Sequence, residues 1–209
     1  MFATVTAMAK PKDPDAALML RAKRGDQSAF EELVVKYQQA VMNFIYRTVP
    51  DFTEAEDLAQ NVFVQAWKAR ERYKVSAKFS TWLFTIARNL SLNEIRRRTR
   101  HSAESMDAPI GDGESDSARQ YEDRDLSSPP DDLIRGELEG KVAEAVAGLP
   151  EKQRTAMLLA QDEDTSYEDI ARILDCSLSA TKSIIFRARE TLKQRLKPYL
   201  KTGDWEDKR

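Results

Sequence analysis

The side chains best placed to do chemistry in this chain are cations at helical spacing rather than nucleophiles or bases. The segment SYEDIARILDCSLSATKSIIFRARETLKQRL, from Ser166 to Leu196, reads as two helices joined by a tight turn. Its second helix carries Lys182, Arg187, Arg189, Lys193, Arg195 and Lys197 against one acid, Glu190. Cations repeated along a helix neutralise phosphates, and those near its start reach base edges when the helix lies in a DNA groove. A second basic run, Arg88 followed by Arg96, Arg97, Arg98 and Arg100, closes the N-terminal half. Two DNA-facing modules on one tether are therefore expected.

Catalytic chemistry has little to work with. His101 is the single histidine and Cys176 the single cysteine of the 209 residues, so neither a histidine-based triad nor a multi-cysteine or two-histidine metal site is available, and no Gly-rich phosphate loop occurs. The expectation is a non-enzyme with no cofactor and no metal. The net charge of -2 argues weakly against nucleic acid, but it averages over segregated charge. Between Glu104 and Asp132 stand ten acids and two bases, whereas both flanking helices are basic. Binding follows the local patch rather than the mean. The N-terminal MFATVTAMAKPKD has no charged stretch followed by a long apolar run, and nothing approaches the roughly 20 apolar residues of a membrane span. A soluble, cytoplasmic protein without membrane insertion is expected.

The elements that must hold these cations are helical throughout. Asp13 and Pro14 start a short helix that ends at Gly25. Phe30, Leu33, Val34, Tyr37, Val41, Phe44 and Ile45 mark a longer one up to Pro50. Thr53 and Glu56 form a capping box for a third, to about Glu71, with Leu58, Val62, Phe63, Ala66 and Trp67 on its stripe. Arg72 to Phe79 reads as a loop, and Ser80 caps a fourth helix bearing Trp82, Leu83, Ile86, Ala87, Leu90 and Ile95. From His101 to Asp132 the chain is too poor in large apolar groups to offset its ordering entropy, and reads as a flexible linker. Helices resume from Leu133 to Ala147, from Pro150 to about Gln161, and after the Ser166/Asp169 cap. The fold class is all-α: two small helical bundles, 14–100 and 132–200, joined by an acidic linker over 101–131.

Three strings carry a family resemblance. FEELVVKYQ (Phe30 to Gln38), EAEDLAQNVFVQAWKA (Glu54 to Ala69) and FSTWLFTIARNLSLNEIRRR (Phe79 to Arg98) together resemble region 2 of bacterial RNA polymerase sigma factors, and Leu149 to Leu192 resembles their region 4. Order, acidic linker and the lack of a middle domain are similar to the extracytoplasmic-function class. The resemblance implies a dissociable subunit that directs promoter-specific initiation, recognising the −10 and −35 elements and helping to open the −10 region. Its implied partners are promoter DNA, the clamp helices and flap of core RNA polymerase, and an anti-sigma factor of the sort the class often has.

Residue by residue, the resemblance implies polymerase docking by Asp57, Gln60, Asn61, Val62 and Phe63, with Asn61 standing where many relatives carry Glu. It implies −10 contacts by Lys74, Lys78, Phe79, Ser80, Trp82, Arg88, Asn89, Asn93, Arg96 and Arg97, in an electropositive groove whose aromatic faces, Tyr73 among them, accept an unstacked base. Leu83 replaces the second Trp of housekeeping relatives, which implies weaker melting and stricter promoter choice. At the −35 element the implied readers are Ser179, Ala180, Lys182, Ser183, Ile184 and Arg187, with Ser179 capping the helix. Thr181, Ile185, Ala188, Leu192 and Leu196 form its buried stripe. Ile184 stands where relatives carry Arg, and offers only apolar contact such as with a thymine methyl. The linker is implied to follow the RNA-exit path. A stand-alone helix-turn-helix regulator is the other binding reading, but nothing in the sequence looks like a dimerisation zipper to span paired half-sites.

Overall fold

A computed structural model describes residues 13–49, 51–105 and 129–202. Among them every regular element is helical: α1 (Pro14–Lys23), α2 (Gln27–Tyr46), α3 (Phe52–Ala69), a 3-10 turn (Arg70–Arg72), α4 (Phe79–Ser105), α5 (Pro129–Ala147), α6 (Glu151–Leu159), α7 (Tyr167–Leu174) and α8 (Leu178–Thr202). The acidic segment 106–128 lies outside the described residues. Both ends of the expected linker are helical, because α4 continues to Ser105 and α5 begins at Pro129 rather than Leu133.

Short polar side chains set the helix starts. Asp13 caps α1 by accepting the Asp15 amide, and its other oxygen accepts the amide of Phe79 at 2.6 Å, so one carboxylate fixes the starts of α1 and α4. Ser80 is therefore not the cap of α4, which begins one residue earlier. Asp51, not Thr53, caps α3 through the Glu54 amide. The Ser166/Asp169 capping box is present on α7 as expected. Ser177, not Ser179, caps α8: its hydroxyl oxygen accepts the Ala180 amide at 3.1 Å. Asp175, in the turn between α7 and α8, has φ +51°, a left-handed conformation that Asp tolerates better than most residues.

In the N-terminal half α1 to α4 pack around Met19, Leu33, Val41, Ile45, Val62, Phe79 and Leu83, all fully buried. Phe30 packs against Trp67 with ring centroids 5.0 Å apart and planes tilted by 56°, joining α2 to α3. In the C-terminal half Leu149, Ile170, Ile173, Leu174 and Ile185 are buried. Arg195 ties α8 to the end of α5 through the carbonyls of Ala145 and Gly148.

The halves are not separate bodies. α7 lies across α4, and the buried apolar residues of both halves form one continuous core. Phe44 and Phe84 on one side face Leu158 and Leu159 on the other, around a crevice of about 290 Å³. Polar bonds flank that apolar contact. Arg154 donates to the Thr48 carbonyl at 3.1 Å, Arg47 to Gln161 at 2.6 Å, and Arg172 to the Ser76 carbonyl at 2.6 Å. Burial pulls the Arg154 guanidinium below its ordinary basicity, as expected for a cation held mainly by carbonyls.

Candidate nucleic-acid interface

The loop 73–78 and α4 present the first group of expected DNA contacts. Lys74, Asn89, Asn93 and Arg96 are exposed along it. Phe79 is fully buried, packed against Tyr37, Tyr73 and Trp82 at 5.4, 6.3 and 5.8 Å, so its ring supports the site from beneath and does not offer a face to a base. Tyr73 is likewise in the core; its buried hydroxyl has no hydrogen-bond partner, and burial pushes its phenol up to about 12. Trp82 lies half-buried on this bed, its ring 5.0 Å from that of Tyr73 and partly open to the outside. Leu83 points wholly into the core, so the side chain replacing the second Trp of other relatives is not part of the outer face.

Three of the expected DNA cations are engaged within the protein. Arg88 is nearly covered and makes a two-pronged ion pair with Glu151, at 3.0 and 3.3 Å, with a third bond to the Ile173 carbonyl at 3.3 Å. Lys78 donates to the Asp164 carbonyl at 2.6 Å and sits 3.2 Å from Asp169. Arg97 pairs with Glu94 and Glu54, and its bond to Glu94 pulls that carboxyl down to about 2. Arg98 closes the same network on Glu54 and Asp51.

Between the halves Arg88, Asn89, Asn93, Arg96, Lys152 and Leu174 line a cleft of about 450 Å³. Asp169, in the seam beside it, takes bonds from Ser166, Thr81 and Lys78. Burial alone would raise its pKa, but these bonds outweigh burial and hold it below the ordinary carboxylate value.

The second candidate face is on α8. Lys182, Ser183 and Arg187 are exposed, as is Ser179, while Ala180 is half-buried. Thr181, Ile185 and Ala188 are buried as the stripe requires, with Leu192 and Leu196 partly so. Ile184 departs from expectation: it is half-buried against the core, not turned outward. The apolar group that faces outward is Phe186, 67% exposed, whose position on the helix falls between those of Lys182 and Ser183. Sequence reasoning passed over it, although its angular position on the wheel was a sufficient signal.

On α3, Asp57 and Gln60 are exposed and Asn61 is half-buried. Val62 is fully buried and Phe63 packs partly into the core, so neither forms an outward apolar centre. Val64 does, at 47% exposed, with Val35 of α2 at 69%.

A family model for Sigma-70 region 2 matches residues 33–101, and one for Sigma-70, region 4 matches residues 139–192. The RNA polymerase sigma-H factor of Pseudomonas aeruginosa is 37% identical over 194 residues, covering 91% of this chain and 97% of that protein. The ECF RNA polymerase sigma-E factor of Escherichia coli K12 is 32% identical over 191 residues, covering 90% and 96%. Among solved structures, CnrH in complex with the cytosolic domain of CnrY is similar with a TM-score of 0.64 and 25% identity, over 89% of this chain and 99% of that one. The sigma factor RpoE of Bartonella quintana, bound to the anti-sigma factor NepR, gives 0.62 and 28%, over 80% and 96%.

Proposed function

Because the chain belongs to the extracytoplasmic-function class of RNA polymerase sigma factors, subunits that direct initiation to particular promoters, we propose that α3 docks on core polymerase while α4 and α8 read the two promoter elements. The observation that carries this reading is the presence of two outward polar and basic faces on separate helices of one chain. Lys74, Asn89, Asn93 and Arg96 supply the first, and Lys182, Ser183, Phe186 and Arg187 the second. Phosphate contacts fix register, and base-edge contacts supply sequence choice.

At the −10 element Trp82 receives a flipped base on the bed made by Tyr73 and Phe79, while the α4 cations track the strand. At the −35 element the start of α8 enters the major groove. Arg187 and Lys182 offer donors to guanine edges or phosphates, and Phe186 offers apolar surface to a thymine methyl. On α3, Asp57 and Gln60 form a polar rim to Val64, and the largest polymerase subunit's clamp helices are the proposed counterpart. The work is divided as 14–100 for docking and −10 reading, 101–131 as linker and 132–200 for −35 reading. The chain adds no catalytic group; synthesis belongs to the polymerase, in the cytoplasm. An anti-sigma factor is a further proposed partner, supported by the complex that the RpoE relative forms with NepR.

The test is transcription in vitro with core polymerase on genomic promoter fragments. Discrete start sites that depend on this chain are expected. Absence of both association with core and any redirected start overturns the reading.

A further inference from the structure

The loop that leads into α4 has no cap of its own. The Lys78 carbonyl accepts the first bond of the helix, from the Trp82 amide at 3.3 Å, but a lysine side chain carries no acceptor for the free amides of a helix start. The acceptor comes from the start of α1 instead. Asp13 takes the Phe79 amide at 2.6 Å with one carboxylate oxygen and the Asp15 amide at 3.0 Å with the other. At the opposite end of α1, Lys23 donates to the Tyr73 carbonyl at 3.0 Å. One short helix therefore grips the chain at both ends of the loop 73–78.

α1 is itself anchored. Asp15, 7% exposed, accepts Lys36 of α2 at 2.6 and 2.8 Å and the Tyr37 hydroxyl at 2.5 Å, and the Tyr37 ring lies 5.4 Å from that of Phe79. Tyr73 and Phe79, the two gripped residues, are also the two whose rings lie under Trp82. Between the grips Lys74, Val75 and Ser76 are exposed. The C-terminal half touches this loop only past its first residues, through Arg172 on the Ser76 carbonyl and the Asp164 carbonyl on Lys78, whereas both end grips come from α1. α1 precedes the stretch 33–101 that matches Sigma-70 region 2.

Resting on the reading above, we propose that Asp13 and Lys23 are positioning residues for the −10 strand: α1 clamps both ends of the loop 73–78 and orders it, with the Tyr73 and Phe79 rings beneath Trp82, before DNA arrives.

The Lys23 bond separates this role from folding. Its side chain is exposed and its acceptor is the backbone of the loop, so the bond fixes the loop while adding little to the core. A loop ordered in advance loses less freedom when the strand binds. Releasing about one residue's worth of backbone freedom corresponds to roughly a tenfold loss in strand capture.

The experiment uses the full chain with core polymerase, on promoter fragments at which wild type directs starts, and compares Lys23→Met, Lys23→Arg and Asp13→Asn. Lys23→Met keeps the apolar stem and removes the donor, and Asp13→Asn leaves one acceptor oxygen for two amides. Permanganate reactivity of −10 thymines over time gives the rate of strand capture. Trypsin nicking after Lys74 in the free chain reports loop order. Capture about tenfold slower in Lys23→Met and Asp13→Asn, with faster nicking after Lys74, is the expected result. Lys23→Arg should restore both, and melting temperature and affinity for core polymerase should stay near wild type in Lys23→Met. Where Asp13→Asn folds poorly, Lys23→Met decides. Capture at the wild-type rate, unaltered nicking, or no recovery in Lys23→Arg overturns the proposal. Any of these together with directed starts by wild type sinks the clamp alone, whereas absence of directed starts by wild type sinks the sigma-factor reading and the clamp's role with it.

Discussion

The ring of Phe79 lies 5.8 Å from that of Trp82, with the first fully buried and the second half-exposed. In the proposed −10 site the two rings would therefore serve differently, one as packing and one as a stacking face. Phe79→Ala should remove core packing and cost about 3–5 kcal/mol of stability, read as a fall in denaturant midpoint. Trp82→Ala should cost less stability than Phe79→Ala, because only part of its ring is covered, and should lose base stacking worth about 1–3 kcal/mol, read as slower permanganate reactivity of promoter thymines. Equal thermodynamic losses in both variants would show that Trp82 is also core.

The same division applies on α3, where Val62 is buried and Val64 exposed. Val62→Ala should destabilise by about 1–3 kcal/mol without lowering the affinity of the folded fraction for core polymerase. Val64→Asp should leave the melting temperature near wild type and weaken polymerase binding at least tenfold, measured by competition against a labelled sigma factor. Unchanged binding by Val64→Asp would place the docking centre elsewhere.

The helices were legible because apolar spacing reports one buried face, and Thr181, Ile185 and Ala188 lie on the stripe that spacing predicts. Caps were harder to place. Asp51 and Ser177 each sit two residues before the expected Thr53 and Ser179, and only backbone geometry chooses among neighbouring short polar residues. Family position does not say which way a side chain points: Val62 and Phe79 are fully buried and Ile184 packs partly into the core. The contact between halves was not legible at all. Arg88 with Glu151 and Thr81 with Asp169 are pairs far apart in sequence, and no local periodicity encodes them.

Acid should loosen the basic end of α4. Glu94 is held at about 2 in the folded chain by its bond to Arg97, against an ordinary value of 4.5. Its stabilising contribution is complete above about pH 5 and is lost as pH falls toward 2, because the unfolded chain takes up the proton first. Thermal melts should therefore show wild type losing more stability between pH 5 and pH 3 than Glu94→Gln. The same substitution loosens Arg97 for phosphate and should steepen the salt dependence of DNA binding by up to about one.

Reading of the −35 element should depend on Phe186 more than on Ile184. Phe186 is 67% exposed amid the exposed polar side chains of α8, whereas Ile184 packs partly into the core. Phe186→Ala should flatten base preference at one or two positions of a selected promoter library, by about 1–3 kcal/mol per position, with the salt slope unaltered. Lys182→Ala should do the reverse, weakening all sequences alike and lowering the slope by about one. Ile184→Arg must withdraw an apolar group from its neighbours before the guanidinium reaches DNA, so it should lower the melting temperature as well as shift the preferred sequence. A Phe186→Ala profile identical to wild type would remove this residue from the reading face and return the apolar contact to Ile184.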